Sequence, residues 1–527
     1  MLQETTSITI SSIYDNVGIV KIKMFSSIWN FCYEVLPYVT CAVILGILFV
    51  ATTIFTFITV VLTIAWNPIT SIYFRFKGPK RRPGLTIAFF HPYCDTGGGG
   101  ERVLWCAINA MKRQFPEARF VVYTGDVHVS GEQIINKAQS RFQIQNMEWM
   151  KSPDTGVEFI YLHKRGWVEA STFPRFTLLG QSLGSIYLAW EALMKCCPDI
   201  YIDTTGYAFT LPVFNNIGKC KVACYVHYPT ISSDMLCLVK NRSSSYNNSS
   251  NISRSWILSS AKLQYYRLFA FLYRKAGCYS DLTMVNSSWT ENHIKELWKL
   301  SSNGCNKVHK IYPPCDNTEF LQISRSSDEI ENQSTTKVIS LGQFRPEKDH
   351  AMQIRAMSEL RNMISDKAWE NVKLVIIGGC RNEEDRKRID DLQRLCKHLS
   401  VEQNVEFKVN ITFGELKQEM SEAKIGLHTM WNEHFGIAVV EMLAAGLITI
   451  AHRSGGPLMD IVNESAESQT GFLAIHDYEY AECIKQILEM PTDALEIMIE
   501  KSRASVNIFS DKVFESNWIR VTSSLIT

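Results

Sequence analysis

Two glutamates, Glu433 and Glu441, stand eight positions apart in Trp431-Asn432-Glu433-His434-Phe435-Gly436-Ile437-Ala438-Val439-Val440-Glu441-Met442-Leu443-Ala444-Ala445-Gly446. They flank the expected start of an apolar helix, an arrangement able to grip a sugar nucleotide. Gly436 opens the helix N-terminus, where main-chain N–H groups and the helix dipole favour a phosphate. Glu433, in the preceding loop, can meet a sugar hydroxyl. Glu441, on the helix, can accept hydrogen bonds from a ribose. The competing reading of this stretch by itself is an ordinary buried helix with two stray acids.

A second stretch carries positive charge. In Gly342-Gln343-Phe344-Arg345-Pro346-Glu347-Lys348-Asp349-His350, Arg345 and Lys348 lie three apart in a loop that leads from a strand to a helix. Two cations there can neutralise a diphosphate as it departs from a sugar. Asp95-Thr96-Gly97-Gly98-Gly99-Gly100-Glu101 follows an earlier strand. Its glycines permit close backbone approach and can aim N–H groups at an anion, although the spacing is neither a dinucleotide fingerprint nor a phosphate loop. His227, in Val226-His227-Tyr228-Pro229, ends another strand. It either contacts a sugar or nascent charge or is a satisfied structural histidine. Ser454-Gly455-Gly456-Pro457 reads as a tight turn beneath a cleft, with Asp460 just beyond. Cys220 and Cys224 precede His227 but match no zinc spacing, and are expected to line a strand.

These residues need elements to hold them. Apolar runs at Leu85–Phe90, Phe120–Tyr123, Glu158–Leu162, Ile200–Ile202, Val222–Val226 and Leu282–Val285 alternate with helical stretches. The alternation restarts at Lys337–Leu341, Leu374–Ile377, Val405–Val409, Ile425–His428 and Ile448–Ala451. Such patterning predicts an α/β protein with two doubly wound, Rossmann-like domains, each a parallel sheet covered by helices. A ligand then belongs in the cleft at the carboxyl ends of the strands. The expected divisions are a tail over 1–35, an apolar segment over 36–66, a basic stretch over 67–83, a first domain over 84–323, a polar connection over 324–336, a second domain over 337–490, and C-terminal helices over 491–527. Arg242–Ser260, rich in Ser and Asn, is expected to be a mobile loop. Phe176–Leu193, with Glu191 its only charge, is expected either to lie on a membrane surface or to be a buried helix.

With 54 basic and 53 acidic residues the chain has a formal charge of +1, which argues against a nucleic-acid partner. Its 15 cysteines are scattered rather than arranged as a disulfide framework, and are expected to be reduced thiols. No Asp, Glu, Lys, Arg or His occurs from Leu36 to Trp66. That length exceeds the ~20 apolar residues needed to span a bilayer, so one transmembrane helix is expected, with a re-entrant second pass left open. Arg75, Lys77, Lys80, Arg81 and Arg82 follow it with no acid before Asp95. The positive-inside rule then places the large C-terminal part in the cytosol.

Taken together, the glycine loop, His227, Asn286-Ser287-Ser288-Trp289-Thr290, the Arg345/Lys348 loop and the Glu433/Glu441 pair resemble, in this order, the retaining glycosyltransferases of family 4. The resemblance covers roughly Leu85 to Leu525 and implies the two-domain GT-B fold. Phe90-His91-Pro92-Tyr93-Cys94-Asp95 with its glycine run, Tyr225-Val226-His227-Tyr228-Pro229-Thr230, Tyr312-Pro313-Pro314-Cys315-Asp316 and the Arg345 segment are similar, more narrowly, to the α-1,2-mannosyltransferases of N-glycan assembly. What this implies is transfer of mannose from GDP-mannose to a dolichyl-diphosphate oligosaccharide, with the fourth and fifth mannoses added at the cytosolic face of the endoplasmic reticulum. Other mannosyltransferases of the same route would be partners. By position, Gly342, Arg345, Lys348, Glu433, Phe435, Gly436, Ile437 and Glu441 would bind the donor. His227, Arg345, Lys348 and Glu433 would surround the reacting centre, and Gly97, Gly98, Gly99, Gly100 and Glu101 would form the acceptor-side loop. No cofactor is expected, and no metal, because the chain lacks an Asp-x-Asp clamp and Arg345, Lys348 and a helix N-terminus can supply the charge instead. The alternatives are a lipid-linked transferase using a UDP sugar, such as the N-acetylglucosaminyltransferase of glycolipid-anchor synthesis, and a catalytically dead scaffold.

Overall fold

The computed structural model describes residues 70–144, 146–232, 234–235, 239, 256–298, 308–324 and 335–526. The expected transmembrane segment over 36–66 lies outside them. Among the described residues no helix is long and apolar enough to cross a membrane. Residues 70–76 are helical and belong to a unit separate from the one that begins at Lys77.

From Lys77 onward the chain builds two parallel sheets. The first has seven strands: β1 (Thr86–Phe90), β2 (Arg119–Thr124), β3 (Val157–Tyr161), β4 (Ile200–Asp203), β5 (Lys221–Val226), β6 (Leu282–Val285) and β7 (Val308–Lys310), in the order β3-β2-β1-β4-β5-β6-β7. The second has six: β8 (Thr336–Leu341), β9 (Val372–Gly378), β10 (Val405–Val409), β11 (Ala423–His428), β12 (Ile448–His452) and β13 (Gly471–Ala474), in the order β10-β9-β8-β11-β12-β13. Strands such as Thr-Ile-Ala-Phe-Phe of β1 are buried along their whole length, as strands covered by helices on both faces must be. Two strands escape the sequence reading. β7 is only Val-His-Lys, too short to show a period, and β13 is Gly-Phe-Leu-Ala, in which glycine and alanine are poor strand signals.

Strand order reverses between β1 and β4 in one sheet and between β8 and β11 in the other. Chain leaving these strands therefore opens into a crevice rather than crossing back over its neighbour. The glycine run follows β1, the Arg345/Lys348 loop follows β8, and the Glu433 loop follows β11.

Several boundaries differ from expectation. Thr336, assigned to the connection, already belongs to β8, because it pairs with Val372 of the neighbouring strand β9. The segment ending at Ser260 is helical from Trp256, the start of the helix Trp256–Gly277. Phe176–Leu193 becomes the helix Thr177–Lys195, one face buried through Leu188, Ala189, Ala192 and Leu193, while Leu183 and Tyr187 stay exposed. Cys224 lies within β5 and Cys220 directly before it, both buried, and every described cysteine is a free thiol. Arg81 and Arg82, from the basic stretch, are engaged by the first domain. Arg81 donates to the carbonyls of Gly218 and Lys219, and Arg82 pairs with Glu158 at 3.0 Å.

The C-terminal helices divide between the domains. Leu495, Met498 and Ile499 of Thr492–Ser505 sit in the second core. Phe514, Trp518 and Val521 of the last helix, Asp511–Thr522, sit in the first. Asp511 closes that return by accepting a 2.6 Å hydrogen bond from Arg102.

Candidate active site

The loop after β8 is shaped by a close approach. A Cβ on Gly378 would lie 2.1 Å from the Gly342 carbonyl oxygen, so β9 can pass the loop only as glycine. A short 3-10 turn, Pro346–Lys348, follows. Asp349 then adopts a left-handed conformation and caps the helix His350–Met363 by accepting from Met352 N–H at 3.1 Å. This geometry directs Lys348 across the crevice mouth, its stem beside Gly342. Its ammonium donates to Glu433 Oε2 at 2.6 Å. Arg345 stays at the rim, its side chain 40% exposed and Nη1 3.7 Å from Glu347. Its Nε is buried without a partner among the described residues.

Glu433 comes from the loop after β11. His428, the last residue of that strand, places Nε2 3.2 Å from the same carboxylate oxygen. Burial would raise the Glu433 pKa, but the adjacent Lys348 charge and the His428 hydrogen bond outweigh it and hold the carboxyl well below its usual range. Glu433 is thus a fixed anion. The Ser454–Gly456 turn supports its backbone. Gly456 N–H donates to the Glu433 carbonyl at 2.7 Å, and a Cβ on Gly455, where φ is +61°, would lie 2.2 Å from that oxygen.

Gly436 has φ +113° and caps the helix Ile437–Ala444. The first intrahelical donors are Val439 and Val440, both to the Gly436 carbonyl. The amides of the preceding turn are thus oriented as an anion would need them. The Phe435 ring is 3% exposed and packs against Tyr312 and Phe509, so any donor contact from this residue is made by its main chain. Glu441 lies one turn further on. Burial raises its pKa to about 7, partly opposed by Arg102 and Arg141 of the first domain.

The first domain meets this surface closely. A Cβ on Gly99 would sit 2.7 Å from Ile437 Cδ1, so the glycine run packs against the helix Ile437–Ala444. Within that run Glu101 is a cap, accepting from Gly98 N–H at 2.7 Å and from the Thr96 hydroxyl. Its carboxylate shapes the loop. A Cβ on Gly100 would lie 3.6 Å from His227 Nε2. That nitrogen donates to the Thr204 carbonyl at 3.1 Å, which fixes the neutral tautomer. Burial, with His91 nearby, lowers the His227 pKa to about 4. His227 is therefore neutral at physiological pH and lines the cleft without charge.

Two features have no local sequence signal. The Asp460 side chain is fully buried and reaches across to the first domain, accepting from Ser288 N–H at 2.8 Å, Ser288 Oγ at 2.6 Å, Tyr312 OH at 2.8 Å and Lys310 at 3.2 Å. Asn432 donates across the cleft to Asp234 at 2.6 Å.

Residues 84–298 match the family described as ALG11 mannosyltransferase N-terminus, and residues 324–505 match Glycosyl transferases group 1. A Homo sapiens protein named GDP-Man:Man(3)GlcNAc(2)-PP-Dol alpha-1,2-mannosyltransferase is 52% identical over 441 residues, covering 84% of this chain and 87% of its own. The chain belongs to this mannosyltransferase family. A Dictyostelium discoideum member of the same name is 44% identical over 454 residues, covering 86% of this chain and 87% of its own. Two solved structures share the two-domain fold at low identity. A glycosyltransferase from Rickettsia africae has a TM-score of 0.55 at 14% identity, covering 85% of this chain and all of its own. Anabaena Alr3699/HepE in complex with UDP and glucose has a TM-score of 0.54 at 17% identity, covering 84% of this chain and all of its own.

Proposed function

We propose that this protein transfers mannose from GDP-mannose, in α-1,2 linkage, to dolichyl-diphosphate-linked Man3GlcNAc2 and then to the Man4GlcNAc2 product. The observation that carries this reading is the Lys348–Glu433 pair. In a chain 52% identical to a mannosyltransferase named for those substrates, it fixes a cation and an anion 2.6 Å apart at the crevice.

The chemistry follows from charge. As the bond from mannose C1 to the diphosphate oxygen breaks, its electron pair passes to the leaving GDP. Lys348, Arg345 through its unpartnered Nε, and the helix N-terminus at Gly436 stabilise that charge. The acceptor hydroxyl oxygen forms the new bond to C1 on the face the phosphate leaves, and its proton passes to the departing phosphate oxygen. Configuration is retained. Glu433 holds the mannose hydroxyls; its ion pair with Lys348 makes it a poor nucleophile. Glu441 holds the ribose. The glycine loop and His227 close the acceptor side and limit water at the reacting carbon. No cation is required, since fixed protein charges do its work.

The uncharged run from Leu36 to Trp66 supports an anchor in the endoplasmic-reticulum membrane with the catalytic domains in the cytosol. Exposed Trp167, Phe176, Leu183 and Tyr187 on the first domain suit a surface facing that bilayer.

The test is incubation of purified protein with the trimannosyl lipid-linked acceptor and a panel of GDP and UDP sugars. Two α-1,2-linked mannoses arising from GDP-mannose alone, at a rate unchanged by EDTA, are expected. Preference for a UDP sugar, or a rate lost on chelation and restored by manganese or magnesium, overturns the reading.

A further inference from the structure

A cavity of about 190 Å³ opens between the domains, bordered by the two loops that carry the ion pair. Lys348 and Glu433 face each other, while their chain neighbours Glu347, Asp349, Asn432 and His434 line the cavity. The first domain supplies Tyr228, Asp234 and Trp289 to the opposite wall. The aromatic rings form a row across the interface, with His434 4.3 Å from Tyr228 and 5.0 Å from Trp289. Trp431, 46% exposed, stands on the donor-domain side.

The lining decides the class of ligand. Asp234, Glu347 and Asp349 bring three carboxylates, and no lysine or arginine lines the cavity among the described residues. Each carboxylate has a basic side chain within 4 Å outside the lining, Arg345 at Glu347, Arg355 at Asp349 and His293 at Asp234, so the wall offers hydrogen-bond acceptors rather than cations to a ligand. Carboxylates and the Asn432 amide suit the hydroxyls of a neutral sugar, and aromatic rings suit its apolar C–H face. The volume holds roughly 13–19 water-sized groups, at ~10–15 Å³ each, room enough for the ring of one hexose.

We propose that this cavity is the subsite for a mannose ring of the acceptor glycan, held between the domains beside the ion pair. The proposal rests on the acceptor being the lipid-linked oligosaccharide. It gives the neutral glycan a wall of acceptors and rings, beside the Arg345/Lys348 cations that meet the anionic donor groups. The Asp234–Asn432 bond makes the subsite complete only when the domains are together, so acceptor binding and closure reinforce one another.

The test is steady-state kinetics of Asp234→Ala and Trp431→Ala with the full-length protein, varying acceptor and GDP-mannose separately. Both variants are expected to raise the acceptor KM by about tenfold or more. In Trp431→Ala the GDP-mannose KM and the slow hydrolysis of GDP-mannose without acceptor should stay within about twofold of wild type. Trp431 is exposed, so its variant reports on binding even if Asp234→Ala folds poorly. Wild type active but acceptor KM unchanged in Trp431→Ala, or donor KM rising in step with it, overturns the subsite alone. A wild type that transfers no mannose defeats the underlying functional reading, and the subsite falls with it.

Discussion

Asp460 Oδ1 lies 2.6 Å from the hydroxyl of Ser288, a contact that joins the two domains although 172 residues separate the partners. The same carboxylate accepts the Ser288 N–H, at the first position of the helix Ser288–Trp298. One acidic side chain of the second domain thus caps a helix of the first, with Lys310 balancing its charge. Asp460→Ala removes the acceptor for four donors, among them the half-buried Lys310 ammonium. Leaving these part-buried donors without their acceptor costs roughly 1–3 kcal/mol. The expected outcome is a lower melting temperature together with an acceptor-dependent rate that falls more than the rate of donor hydrolysis. Unchanged melting would show that the clamp does not hold the domains together.

Gly455 tests the support beneath Glu433. Alanine there would need φ +61° and a Cβ 2.2 Å from a main-chain carbonyl. The backbone strain alone costs about 1–3 kcal/mol, and relief requires the Glu433 loop to move. Gly455→Ala is expected to lose transfer activity by more than tenfold, since small misplacements at a reacting centre are costly. Wild-type kinetics in this variant would mean that the loop position does not matter.

Glu441 predicts a pH dependence. Its folded pKa of about 7 lies above the ordinary glutamate value of about 4.3. The native protein therefore keeps a proton that the unfolded chain has released. Stability from this group is full below about pH 4, falls as pH rises towards 7 and levels above it. Ribose binding runs the other way, because the ionised carboxylate is the better acceptor. The KM for GDP-mannose should fall as pH rises through about 7, and Glu441→Gln should flatten that profile. A profile unchanged in the variant assigns the titration elsewhere.

Much of this was legible in the sequence where function and local structure coincide. Gly342 to Asp349 and Glu433 to Glu441 are short stretches in which turn, charge and helix start occur together. The strand ends that carry them could be read from apolar runs flanked by glycine. Long-range pairs left no such trace. Neither Ser288 with Asp460 nor Asp234 with Asn432, 198 positions apart, shows a local pattern, because only the docking of two sheets brings them together. Glu101 shows the converse. Its place in the glycine run assigned it to the acceptor-side loop, but not the part it plays there, which is to cap the turn that presents the loop. Phe435 likewise sits in a motif, yet its ring serves the core.

The central claim is that a fixed cation at the crevice draws off the charge of the departing nucleotide. Single-turnover rates of Lys348→Met with GDP-mannose and the trimannosyl lipid acceptor test it most directly. The account predicts a chemical step slowed by about 10²–10³-fold in a protein whose circular dichroism matches wild type. A chemical step within about threefold of wild type would contradict it.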